Sequence, residues 1–277
     1  MTATRAVGSP GRGDVRARSS PPSRRWRAAW PVLPALVFVL IPLVALAVRA
    51  PWSRTASALG RSGAWAALRV SLEVTLGATA ISLLVAMPAA WALARVDFPG
   101  RRFVRALIVL PIILPPVVAG VALLAALGRL GLIGGLLERA GVRLVFTTAG
   151  AALAAAFVSA PFLVLALEAG FRALDPRFED AARSLGASRW YVFRRVTLPQ
   201  VRPALVAGLV LAWARALGEF GATITFAGNF PGTTQTLPLA VFQALQTDAG
   251  AASIISLAML VVSVAVLIAV GGRVLAR

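Results

Sequence analysis

Asp175-Pro-Arg-Phe-Glu-Asp-Ala-Ala-Arg-Ser-Leu-Gly-Ala-Ser-Arg-Trp-Tyr-Val-Phe-Arg-Arg-Val-Thr-Leu-Pro199 is a charged island between two long apolar runs. Asp175 can cap a helix, and Pro176 at the first helical position gives up an N–H that has no intrahelical partner anyway. Phe178, Ala181, Ala182 and Leu185 fall at i, i+3, i+4 and i+7, which makes one apolar stripe. Gly186 follows the stripe, where a left-handed residue closes a helix without a Cβ penalty. Ser188 then caps a second short helix carrying Trp190 and Phe193 on one face, and Pro199 ends it. The pattern predicts a helix–turn–helix elbow with a narrow apolar ridge, held at a membrane surface.

The membrane follows from the rest of the chain. Of its 277 residues 59% are hydrophobic and only 14% charged, and the mean hydropathy is +0.84. The apolar residues gather into charge-poor runs, each long enough to cross a hydrocarbon core at roughly 20 residues per helix. These runs are Ala28–Val48, Val74–Ala94 with its first turn near Ala66, Ala106–Gly128, Val145–Leu167, Pro203–Thr225 and Ala249–Gly272. In the first, Ala45-Leu-Ala47 resembles a signal cleavage site, but the run exceeds the roughly 7–15 apolar residues of a signal core, so a retained helix is expected. Residues 1–27, rich in Arg, Ser, Pro and Gly, read as a disordered basic tail able to touch anionic lipid headgroups. Residues 66–272 form the core membrane domain and 273–277 a short C-terminal tail.

Six crossings put both termini on one side, and arginine chooses the side. All 28 basic residues are Arg, against 10 acidic ones. With the N-terminus inside, 20 Arg fall in cytoplasmic segments and 6 outside, while Arg69 and Arg215 lie within spans. The positive-inside rule therefore places both termini and the 175–199 elbow in the cytoplasm of a multi-pass cell-membrane protein. A basic excess distributed this way calls for no nucleic-acid partner.

Chemistry is short of tools. The chain has no Cys and no His, which removes thiolates, the usual proton shuttle and the commonest metal ligand. An intramembrane serine protease would need a His partner, so no catalytic residue, metal or cofactor is expected. Lys is absent too, so the chain has no Walker sequence, and an ATP-driven cycle must use another subunit's ATP site.

Four features lie at membrane depth. Pro111, Pro115 and Pro116 either kink the third helix or break it where it lines a substrate path. Arg215 and Glu219, four residues apart on one predicted helical face, form an internal ion pair that is either a static strut or a contact for a passing anion. Glu73 near the start of the second helix pairs with Arg69 or reaches the interface. The small residues of Ala149–Ala156 suit close helix packing. Outside the bilayer, Gly128–Leu137 is too short to span and makes a re-entrant or interfacial turn. Phe226–Gln246 begins as a turn-rich loop, and its apolar segment Leu239–Leu245 lies along the interface.

Asp180-Ala-Ala, three residues, Gly186, nine residues, then Val196-x-Leu198-Pro199 resembles the EAA loop of ABC importer permeases. Asp stands for the usual Glu and Val for the usual Ile. The resemblance implies a type I importer permease fold, with the elbow as the coupling helix that docks on a cytoplasmic ABC ATPase. It carries Phe178, Glu179, Asp180, Ala181, Ala182, Leu185, Gly186, Leu198 and Pro199 over as ATPase-coupling residues.

Ala214–Asn229 and Pro231–Ala240 are similar to molybdate permeases, as are Leu110–Val121 and the Gly128–Gly134 turn. The segment Arg215-Ala-Leu-Gly-Glu-Phe-Gly-Ala222 is shared with sulfate and thiosulfate permeases, and tungstate is nearly indistinguishable from molybdate at this level. The resemblance implies a homodimer with two ATPase subunits and an extracytoplasmic oxyanion-binding protein. The expectation is an all-α integral membrane protein, a non-catalytic permease importing molybdate by alternating access. The reading from another class is an ATP-independent anion channel.

Overall fold

Proline and glycine decide where the apolar runs become helices. The computed structural model describes residues 30–55, 60 and 63–274. The basic tail 1–27 lies outside them, as do residues 275–277 of the C-terminal tail. Every regular element among the described residues is helical. The chain falls into two units, residues 1–49 and 50–277. The described part of the first is helix α1 (Val32–Arg49), whose apolar side chains are largely exposed, as a lipid-facing helix requires.

The second unit begins with a short 3-10 turn, Trp52–Arg54, and continues with α2 (Ala64–Arg95), α3 (Arg101–Ile113) and α4 (Pro116–Leu127). There follow α5 (Gly134–Arg139), α6 (Thr148–Ala173), α7 (Pro176–Ser184) and α8 (Arg189–Val192). A π turn, Phe193–Thr197, leads into α9 (Leu198–Leu217), followed by α10 (Gly221–Ala227), α11 (Leu237–Thr247) and α12 (Ala249–Val274). Among the described residues five helical stretches are long and apolar enough to span, or six if the α3–α4 pair is one broken crossing.

The most extensive packing is α2 against α6, and small residues make it so. Ala78, Ala151, Ala155 and Ala156 share one buried cluster, and Ser82 and Ser159 meet across the interface at 3.3 Å. Small side chains let helix backbones approach where lipid offers no hydrophobic drive for association. The Ala149–Ala156 stretch therefore packs as expected. Further down, Ala86, Ala90 and Leu93 of α2 meet Leu163, Leu167 and Phe171 of α6 and Val201 and Ala212 of α9.

Two of the expected spans are not continuous. The third run breaks between α3 and α4 with a bend of 117°. A residue before proline is pushed out of the α region; here that applies to two in a row. Leu114 (ψ 134°) and Pro115 (ψ 133°) are extended, and Pro116 opens α4 at a position that needs no N–H donor. Pro111, by contrast, sits buried inside an unbroken α3.

The fifth run ends as α9 at Leu217 and resumes as α10, so Arg215 and Glu219 do not share one continuous helix. Pro199 also behaves differently from its expected role. It lies in the first turn of α9 and opens that helix, because a fixed φ is tolerated there and the missing N–H costs nothing.

The two breaks pack on each other. A Cβ on Gly221 would lie 2.7 Å from the Pro116 Cβ and 3.0 Å from the Val117 nitrogen. Gly128–Leu137 forms tight turns that run into α5. Leu239–Leu245 is part of α11, which packs against α2 and α12 through Leu237, Ala240 and Ile255. Glu73 pairs with Arg69 at 2.7 Å.

The α4–α10 contact is tight enough to test. A Cβ on Gly120 would fall 2.6 Å from the Thr225 Cβ and 3.0 Å from the Ala222 carbonyl oxygen. Gly120→Val is expected to destabilise the protein by about 1–3 kcal/mol, read as a lower Tm in detergent. An unchanged Tm would show that these half-helices are not in contact.

Candidate functional site

The elbow forms as its sequence dictates. The Asp175 carboxylate accepts the Arg177 N–H at 2.9 Å, and Pro176 opens α7. At the other end the Gly186 N–H donates to the Arg183 carbonyl at 2.9 Å and the Ala187 N–H to the Ala182 carbonyl at 3.1 Å. Those two bonds make a Schellman closure, which needs a left-handed residue, and Gly186 has φ +86°. The Ser188 hydroxyl then accepts the Tyr191 N–H at 3.3 Å and starts α8.

The stripe faces outward. Phe178 and Trp190 are exposed, and Leu185 is 89% exposed. Ala181 is exposed and Ala182 half-buried beside them. Trp190 stacks on Phe193 with ring centres 5.8 Å apart, and the Arg194 guanidinium lies over the Trp190 ring at 5.8 Å. Apolar residues lifted out of the bundle on a polar helix, beside an aromatic pair, are what a helix-in-groove contact uses.

Not every residue assigned to coupling lies on that ridge. Asp180 is exposed and pairs with Arg183 at 3.1 Å. Glu179 turns inward instead, with its side chain only 13% exposed, and accepts the Thr197 hydroxyl at 2.8 Å. Leu198 is half-buried and Pro199 exposed at the start of α9.

At membrane depth, Glu219 bridges the second break. Its Oε2 takes the Arg215 Nη1 at 2.7 Å, and its Oε1 accepts the Ala222 N–H at 2.9 Å. One carboxylate so ties the end of α9 to the first turn of α10, and its side chain is 1% exposed. The Arg215–Glu219 pair therefore exists, but as a clamp across a gap. The Pro115–Pro116 break lies against Gly221, two residues beyond Glu219, so the structure gathers most of the predicted path residues in one region; Pro111 lies further back in α3.

Two ion-pair groups built on inward-facing carboxylates were missed from sequence. Glu168 of α6 is buried and pairs with Arg105 of α3 at 3.0 Å and with Arg172 one turn on. Arg95, the last residue of α2, faces Glu179 at 3.6 Å. The i, i+4 spacing of Glu168 and Arg172 was a readable signal. Nothing local links Arg95 to Glu179, or Arg105 to Glu168.

Comparison with known proteins gives the family and the fold. The family described as "Binding-protein-dependent transport system inner membrane component" matches residues 82–277, which include both breaks and the elbow. The molybdenum transport system permease protein ModB of Mycobacterium tuberculosis is 46% identical over 247 residues, 88% of this chain and 94% of that protein. The sulfate transport system permease protein CysT of Escherichia coli is 37% identical over 238 residues, 84% of this chain and 86% of that protein. Among solved structures, a bacterial ABC transporter involved in import of the acidic polysaccharide alginate superposes with a TM-score of 0.68 at 20% identity. That match covers 91% of this chain and 96% of the other. The likeness is one of fold.

Two substitutions probe the site. Glu219→Gln keeps an acceptor for the Ala222 N–H but leaves Arg215 without its counter-charge, which should cost about 3–5 kcal/mol and show as a lower Tm. Exchanging the two residues should recover most of the loss if the pair is a strut. Gly186→Val meets no atom within 4 Å, so its cost is backbone strain alone, about 1–2 kcal/mol. If the elbow docks on an ATPase subunit, membrane insertion should survive while that subunit co-purifies less and uptake falls; unchanged coupling would show that the left-handed turn is dispensable.

Proposed function

This chain belongs to the binding-protein-dependent transport inner-membrane-component family, and from that premise we propose that it is the permease subunit of an ABC importer that brings molybdate into the cell. It is a multi-pass membrane protein, with both termini and the elbow assigned to the cytoplasm by the arginine distribution. The observation that carries the substrate is the 46% identity, over most of both chains, to a molybdenum permease, against 37% to a sulfate permease.

The working unit is two copies of this chain, two cytoplasmic ATPase subunits and an external oxyanion-binding protein. Phe178, Ala181, Leu185 and Trp190 dock on the ATPase. Nucleotide-driven closure of the ATPases draws the elbows together and tilts the helices, turning a central cavity from inward- to outward-facing. The chain itself breaks no bond.

Selectivity belongs to the binding protein. A tetrahedral dianion is held tightly where several donors converge on it. The two arginines inside the predicted spans are both already paired, Arg69 with Glu73 and Arg215 with Glu219, each at 2.7 Å. A path without a free cationic cage releases its cargo readily.

The test is reconstitution of this chain with its ATPase and binding protein in liposomes. Molybdate should accumulate only with ATP, and excess sulfate should compete weakly. Accumulation without ATP would identify a channel, and preference for sulfate would identify a sulfate permease. Supplying a sulfate-specific binding protein engineered to dock on the outer loop 226–246 should convert the system to sulfate uptake. Continued exclusion of sulfate despite ATP hydrolysis would place a selective site in the membrane.

A further inference from the structure

Glu179 stands one residue before the Asp180-Ala-Ala motif, yet it does not join the exposed ridge. Its carboxylate reaches two elements outside α7. Oε1 accepts the hydroxyl of Thr197, which leads into α9, at 2.8 Å, and faces Nη2 of Arg95, at the end of α2, at 3.6 Å. Oε2 takes the Arg183 guanidinium of α7 itself at 3.2 Å. One carboxylate thereby ties α7 to the π turn at the far end of the elbow and faces the last residue of α2.

Little else joins the elbow to α2. In its crook lies a cavity of about 340 Å³, lined among others by Trp91, Glu179, Arg189 and Phe193. Side chains therefore do not fill the space between the elbow and the last turn of α2, and steric contact there transmits little. The chain enters α7 through Leu174 and Asp175, both extended (ψ 132° and 120°), a connection able to bend.

Against this, the Arg95 Nε and Nη2 are buried and make no hydrogen bond, so the guanidinium depends on the Glu179 charge for compensation. A buried charge resists being parted from its counter-charge even when the pair is not tightly hydrogen-bonded. The pull is thus electrostatic and acts where packing is absent. Beyond Arg95, α2 runs back along α6 through the most extensive interface in the bundle.

We propose that Arg95 is a positioning residue that makes the elbow and the end of α2 move as one body, so that force applied to the exposed ridge tilts α2 instead of bending the chain at Leu174–Asp175. Arg95 touches neither substrate nor ATPase in this scheme; it acts through Glu179. The proposal rests on the elbow being the ATPase-docking element.

The chain has no cysteine, which permits a self-controlled test. Arg95→Cys and Glu179→Cys are introduced together, and the protein is assembled with its ATPase and binding protein in liposomes. A separate Arg95→Met variant, which keeps Glu179, should hold ATP hydrolysis stimulated by the binding protein within about twofold of the unmodified complex while molybdate taken up per ATP falls about tenfold, and the unbridged double-cysteine variant should show the same loss of uptake per ATP. Joining the two thiols with a short bifunctional methanethiosulfonate should restore most of the uptake per ATP, and reducing the bridge should remove it again.

Normal uptake per ATP in the unbridged variant overturns the proposal. So does a bridged variant that remains uncoupled, or a parallel loss of ATP hydrolysis and uptake, since a merely structural role lowers both together. Failure of the variant to assemble counts the same way. Absence of stimulated ATP hydrolysis with the unmodified chain overturns the transport function itself, an outcome distinct from any loss confined to the variant.

Discussion

A helix broken at membrane depth exposes N–H and C=O groups that hydrocarbon cannot satisfy, and the architecture depends on how that problem is solved at Glu219. The carboxylate answers two needs at once. It gives the first turn of α10 an acceptor at the Ala222 N–H, and it neutralises Arg215 at the end of α9. Each need alone would make the gap unstable, because an unpaired buried charge and an unsatisfied buried donor are both expensive. Met together, they let the chain turn between α9 and α10.

The second break is solved differently. Pro115 and Pro116 have no N–H to satisfy, so the chain leaves fewer orphan donors at the α3–α4 bend. What remains is shape, and glycine supplies it. Gly221 comes against Pro116, and Gly120 against Thr225 and Ala222, at distances that admit no Cβ. The break carrying a charge and the break carrying prolines consequently brace one another, with Phe226 and Val158 filling the space behind them.

Carboxylates are scarce in this chain, 10 against 28 arginines, and the buried ones sit at junctions. Glu168 joins α6 to α3 through Arg105, Glu179 joins the elbow to α2 through Arg95, and Glu219 spans the α9–α10 gap. Elsewhere the bundle is held by small residues and apolar contact, which fix close approach but have little direction. The ion pairs supply direction where helices end, turn or change partners. The excess of arginine thus provides a partner for each of these carboxylates.

Local chemistry was legible in the sequence where neighbours along the chain determine the outcome. Asp175, Pro176, Gly186 and Ser188 specify the elbow because capping, φ and Schellman closure are settled within a few residues. Apolar runs and arginine counts specify a multi-pass helical protein because insertion responds to hydropathy and flanking charge. The doubled proline announced a disturbance at 115–116. Tertiary structure alone decided the rest. Gly218 to Phe220 interrupts a run that periodicity reads as continuous, since the start of α10 is held in place only once α4 packs against Gly221 and Ala222. Pro199 opens a helix instead of ending one because the π turn carries the chain straight on into α9. Glu179 faces inward because Arg95 and Thr197 wait there, and residues so far apart in sequence come together only when the helices that carry them have packed.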